Sequence, residues 1–103
     1  MARQLVWSPE AVEDIEAIAS YIERDSPWYA KAVVSRIVAT AESTPEYPEL
    51  GKMVPEVGDA AIRERLVYSY RVIYRVETER VLMVGVIHGR RLLQPLIARM
   101  ESQ

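Results

Sequence analysis

A chain of 103 residues, half of them hydrophobic and 27% charged, is long enough to bury one core without metal or disulfide staples and too apolar to be disordered. It contains no cysteine, which excludes disulfides and thiolate chemistry. Its longest apolar run, Val81 to Ile87, falls far short of the roughly 20 residues of a membrane helix, and its net charge of −2 is far from the positive excess of a protein that grips nucleic acid by phosphate contacts alone.

The chain opens on the short apolar run "RQLVW", residues 3 to 7, followed by Ser8-Pro9-Glu10. Serine is a favoured N-cap, proline suits the first helical position and an acid complements the helix dipole, so a helix is predicted from Pro9 to about Arg24. Val12, Ile15, Ile18, Ala19 and Ile22 form its apolar stripe, and Glu10, Glu13, Asp14, Glu16 and Glu23 give it an acidic outer side. Ser26-Pro27 repeats the punctuation, and Ala30, Val33, Val34, Ile37, Val38 and Ala41 mark a second helix that closes at Thr44-Pro45. The short connection implies an antiparallel helical hairpin. Residues 45–61 hold three of the six prolines and two of the four glycines, which reads as a long loop with one helical turn between Glu46 and Leu50.

From Ile62 the pattern turns to strands. "IRERLV" leads through Tyr68-Ser69 into "YRVIYRV", where Tyr70, Val72, Tyr74 and Val76 share one side and Arg71, Ile73 and Arg75 the other. After "ETER", the run "VLMVGVI" is apolar throughout, as in a strand covered on both faces. The tail "LLQPLIARMESQ" fits a further strand, a short helix after Pro95, or a segment ordered only with a partner after about residue 93. The expected fold is therefore α+β and a single domain over residues 1–103: an N-terminal strand and a helical hairpin on one face of an antiparallel sheet. The other face is left to Arg71, Arg75 and their neighbours as the expected functional surface. The opening lacks the regions of a secretory signal over Met1 to Pro9, so a cytoplasmic location is expected, with no membrane partner.

Charge is unevenly spread. Residues 1–61 carry five Lys or Arg against eleven Asp or Glu, a balance of −6, while residues 62–103 carry eight Arg against four Glu, a balance of +4. One histidine and no cysteine make a metal site improbable, and there is no glycine-rich phosphate loop, because the glycines are scattered at 51, 58, 85 and 89; no cofactor is expected. Ser8 and Ser26 are better used as caps than in a triad. What remains is Arg63, Arg65, Arg71, Arg75, His88, Arg90 and Arg91. Such a group can hold a phosphate bidentately, with His88 as acid or base, or bind a partner's carboxylates. The plainer reading is sheet-edge charge for the arginines and a hydrogen-bonded strand end for His88. Tyr68, Tyr70 and Tyr74 read as packing residues, Trp7 and Trp28 as core or interface.

The stretches "LVWSPEAVEDIEAIASYI", "PELGKMVPEVGDAAIRERLVYSYRVIYRV" and "VLMVGVIHGRR" resemble the toxins of the ParE/RelE superfamily, in particular its ParE-like, plasmid-stabilisation branch, from about Gln4 to Arg91. The resemblance implies the toxin of a bacterial type II toxin–antitoxin system, held inactive by a labile cognate antitoxin, with the same hairpin-on-sheet fold. For a ParE-like member it implies DNA gyrase as target, a growth-inhibiting block of replication, and no enzyme activity of its own. Arg90, Arg91, His88, Arg71 and Arg75 are then the target-binding candidates. For a RelE-like member it implies a ribosome-dependent messenger RNA endonuclease, with His88, Arg90, Arg65 and Arg71 as catalytic candidates. The sequence departs from that second pattern: "LLQPLI" lacks the tyrosine expected after the last strand, and Lys52 stands alone where a lysine pair is expected. A third reading is a chain that has lost toxicity and only binds the antitoxin. None of the three implies a cofactor or a metal.

Overall fold

The computed structural model describes residues 3–102. Strand β1 (Gln4–Trp7) leads into helix α1 (Pro9–Glu23), and α2 (Pro27–Ser43) follows. Both helices start as the Ser-Pro pairs predict: Ser8 Oγ accepts the Ala11 N–H and Ser26 Oγ the Tyr29 N–H, each at 3.1 Å. Residues 44–61 form a 3-10 turn at Pro48–Leu50 and a two-residue strand β2 (Lys52–Met53), the latter absent from the sequence reading. Strands β3 (Ile62–Val67), β4 (Tyr70–Val76) and β5 (Arg80–His88) complete a five-stranded sheet of order β1-β5-β4-β3-β2, antiparallel except that β1 runs parallel to β5. The tail resolves as helix α3 (Gln94–Ser102).

The α1–α2 hairpin packs on one face of the sheet. Ala11, Ala30, Val33, Ile37 and Ala41 meet Val67, Val72, Tyr74, Val81, Met83 and Val86 there. Val12, expected in the α1 stripe, is instead exposed. The opposite face departs further from expectation, because it is not left open to arginines. Leu93 and Leu96 cover it together with Val54, forming a second core with Ile62, Ile73 and Val84. β5 serves both cores by means of a bulge: Ile73 pairs with Gly85 and Tyr74 with Met83, so Val84 is an extra residue and the alternation of faces shifts phase there.

β1 covers β5 only as far as Met83, which leaves the far half of that edge to be satisfied by other means. The Ser8 N–H donates to Met83 O, Ser8 Oγ donates to Val84 O, and the Val86 N–H donates to the Asp14 carboxylate at 2.9 Å. Asp14 also accepts both Arg99 amino groups, at 2.7 and 3.0 Å. So Asp14 belongs to no acidic outer side; it fastens α1, β5 and α3 at one point. Asp14→Ala is expected to cost about 1–3 kcal/mol by leaving the Val86 donor without a partner, and Asp14→Asn less, since an amide oxygen can still accept. Urea unfolding of the two variants measures this, and equal losses would show that the acceptor is not what matters.

Candidate functional site

Residues directly opposed on neighbouring strands share a face of the sheet, so the register sorts the candidate residues. Leu66 pairs with Arg71 and Arg71 with Ile87, which packs in the second core; Arg71 is therefore on the α3 side. Arg65 pairs with Val72, and Tyr70 with His88, and both Val72 and Tyr70 pack under the hairpin. His88 and Arg65 are thus on the hairpin side. The sheet itself separates His88 from Arg71, while Arg65, the other phosphate candidate, shares the His88 side.

Arg71 is also engaged. Its Nε donates to Glu64, which is 4% exposed, and its two amino groups donate to Glu56 at 2.8 and 2.9 Å. Lys52 lies 3.7 Å from Glu64. Pro55, Leu66 and Gly89 complete a shallow hollow of about 410 Å³ around this group. Two carboxylates facing one buried guanidinium make the hollow a poor seat for a phosphate. Hydrogen bonding to Arg71 holds the Glu56 carboxyl well below the usual carboxylate range, at about 2. Glu77 is shifted in the same direction by Arg80 and then Arg75. A carboxyl lowered on folding contributes stability that is full above its unfolded value and is lost as pH falls through the folded one. The urea midpoint is therefore expected to drop from about pH 5 downward, and Glu56→Gln to drop less; an equal fall in both proteins would remove Glu56 as a cause.

Arg75 is spoken for as well, its Nε donating to Glu77 at 2.8 Å near the other end of β4. Arg65 donates to Ser43 Oγ on α2, and Arg63 to the carbonyls of Ala60 and Gly51. His88 Nδ1 accepts the Arg90 N–H at 3.2 Å, leaving Nε2 as the nitrogen open to a ligand. Arg90 and Arg91 are exposed and pair with no carboxylate among the described residues. Of the arginine and histidine set, only His88, Arg90 and Arg91 are together and free. Among the described residues no group of three or more His, Asp or Glu could hold a metal, and no helix is long and apolar enough to cross a membrane.

The sequence reading missed what surrounds His88. Tyr70 meets the His88 ring edge-on with centroids 5.6 Å apart, and Tyr29 meets Tyr68 at 6.0 Å with the rings tilted by 60°. Burial, with the Tyr29 and Tyr21 phenols close by, pushes the Tyr70 hydroxyl up. Tyr21 in turn lies under the Arg24 guanidinium, 6.0 Å from its ring centre. Tyr68 has a φ of 53°, the one positive value outside glycine among the described residues. It occupies the first position of a two-residue hairpin loop, where glycine is favoured and a bulky side chain costs about 1–3 kcal/mol. The signal that could have shown this was the loop itself: "VYSY" holds neither of the residues such a turn prefers. On the outer side of the hairpin, a groove of about 620 Å³ is lined by Ala19, Glu23, Pro27, Trp28, Lys31 and Val34, with Trp28 78% exposed.

The architecture is thus a helical hairpin on one face of a small sheet, a C-terminal helix on the other and a basic strand end. The chain belongs to the family described as ParE toxin of type II toxin-antitoxin system, parDE, which it matches over residues 5–93. It is 36% identical over 90 residues to Toxin RelE2 of Caulobacter vibrioides, covering 86% of this chain and 98% of that one. In fold it is similar to a chain from the chromosomal ParDE TA system of P. aeruginosa, with a TM-score of 0.70 at 19% identity over 84% of this chain and 96% of that one. It is also similar to a free mutant of E. coli toxin RelE, with a TM-score of 0.67 at 16% identity over 99% and 97%. The ParE/RelE superfamily resemblance and the α+β hairpin-on-sheet expectation are both borne out.

Proposed function

We propose that this toxin acts by binding rather than by cutting RNA, with DNA gyrase as its target and a cognate antitoxin as its cellular partner. The observation that carries this is the state of Arg71, which lies across the sheet from His88 and is neutralised by Glu56 and Glu64, while Arg65 on the His88 side is tied to Ser43. The match to the ParE family over residues 5–93 favours the gyrase-directed branch. The relative named RelE2 keeps a second reading in view, a ribosome-dependent endonuclease. The antitoxin reading is supported by solved relatives that come from a ParDE TA system and from a RelBE2 toxin-antitoxin complex. The open groove beside Trp28 offers an antitoxin helix an apolar seat of the kind amphipathic helices use.

The test is direct. Purified toxin added to gyrase and relaxed plasmid is expected to block supercoiling or to accumulate cleaved DNA, and Arg90→Ala with Arg91→Ala to weaken that effect. Normal supercoiling at excess toxin would sink the gyrase reading. Messenger cleavage at the ribosome that vanishes in His88→Ala would establish the second reading instead. Growth that continues on induction of a folded chain still able to bind its antitoxin would mark a component without toxicity.

A further inference from the structure

Four tyrosines and the histidine gather from four parts of the chain at one end of the molecule. Tyr21 comes from the end of α1, Tyr29 from the first turn of α2, Tyr68 and Tyr70 from the β3–β4 hairpin, and His88 from the end of β5. Tyr21, Tyr29 and Tyr68 are 67%, 42% and 58% exposed. None of the four phenols is hydrogen-bonded among the described residues, whereas the one buried tyrosine, Tyr74, donates to Pro48 O. Tyr68 is held in a strained backbone state and still shows most of its ring to solvent, so packing does not account for it. Arg24, Arg90 and Arg91 border the group without carboxylate partners; Glu23 and Asp25 flank Arg24 in sequence, and Glu23 lines the groove on the outer side of the hairpin.

We propose that this tyrosine, histidine and arginine end is the surface by which the toxin engages its target, and that the partner is an acidic face of another protein. Tyrosine and arginine dominate the energetics of protein interfaces because they offer large, rigid area with a polar tip. The charge fixes the sign of the partner: three unpaired guanidiniums and free phenol donors suit carboxylates. The ring geometry decides against single-stranded nucleic acid. Tilts of 60° and 81° set an edge of one ring toward the face of the next, so the rings offer no run of parallel platforms of the kind on which successive bases stack. The inference rests on the toxin reading above but not on gyrase.

Tyr68→Gly tests it, because the change relieves the backbone while removing the ring. The variant is expected to melt a few degrees higher, to co-purify with the antitoxin as before, and to arrest growth at least about tenfold less effectively on induction, the loss of one interface hot spot. A hexaglutamate peptide titrated into the labelled toxin at low salt is expected to shift the amide signals of residues 68–70 and 88–91, and to do so less in the variant. Undiminished growth arrest by a folded Tyr68→Gly protein would overturn the proposal. So would retention of a dT15 oligonucleotide that Tyr68→Gly abolishes, since the partner would then be nucleic acid. Wild-type arrest with unaffected supercoiling would remove gyrase and leave this test readable, because arrest is scored without it.

Discussion

Arg71→Ala is expected to lose about 3–5 kcal/mol of folding stability, measured by urea unfolding, because it strands a buried carboxylate. The Arg71 side chain is 11% exposed and that of Glu64 4%, and Glu56 closes the pair from the solvent side. Lys52 is no substitute: at 3.7 Å and 68% exposed it gives Glu64 little that water would not. Breaking a buried pair costs far more than replacing it whole. Arg71→Met combined with Glu64→Leu is therefore expected to regain most of the loss. A single variant that lost less than about 1 kcal/mol would show that water reaches Glu64 once Arg71 is removed. Either result bears on the nuclease reading, because a residue needed to neutralise Glu64 is not free to hold a phosphate.

Gly51→Ala is the second large effect, and its cause is space. The backbone at Gly51 is ordinary extended chain, with φ −77° and ψ 150°. A Cβ there would lie 2.9 Å from Glu64 O and 2.9 Å from Tyr74 Cζ, and would press on the Tyr74 hydroxyl. Tyr74 is fully buried and donates to Pro48 O at 2.7 Å, so the phenol ties residues 48–51 to the core beneath. Overpacking of this kind costs about 1–3 kcal/mol, with about 1 more if the Pro48 bond is lost. Tyr74→Phe alone is expected to cost about 1 kcal/mol, yet to soften the effect of Gly51→Ala when the two are combined. Strict additivity in that double-mutant cycle would mean that the loop, rather than the phenol, gives way.

The helices were legible because their boundaries are local chemistry: Ser8-Pro9 and Ser26-Pro27 act within one turn. The same holds for β3 to β5, where runs of alternating or continuous apolar residues bound the strands. Lys52–Met53 was not, since two residues have no period and their pairing with Glu64 and Arg63 is fixed from outside. Alternation correctly grouped Tyr70, Val72 and Tyr74 apart from Arg71 and Ile73. It could not say what covers each side, so the second core under α3 was read as an open basic face. Arg71 shows the same limit at one residue: its partners Glu56 and Glu64 lie 15 and 7 positions away, and no spacing rule links them. The tyrosine end was hidden because its members come from separate elements and are joined only by the fold.

The parallel pairing of β1 with β5 has a consequence for how the toxin comes into being. Its register joins Gln4 to Arg80 and Trp7 to Met83, so the first strand made waits for the last. Until residue 88 has emerged, α1 lacks the strand that Ser8 and Asp14 bind, and Val81, Met83 and Val86 are missing from the core beneath the hairpin. Contacts this distant in sequence are paid for in chain entropy before they return anything, which slows folding toward the millisecond-to-second range. Folding is thereby deferred until β5 has been made, and a chain cut short before His88 is expected to lack part of the strand that both cores share.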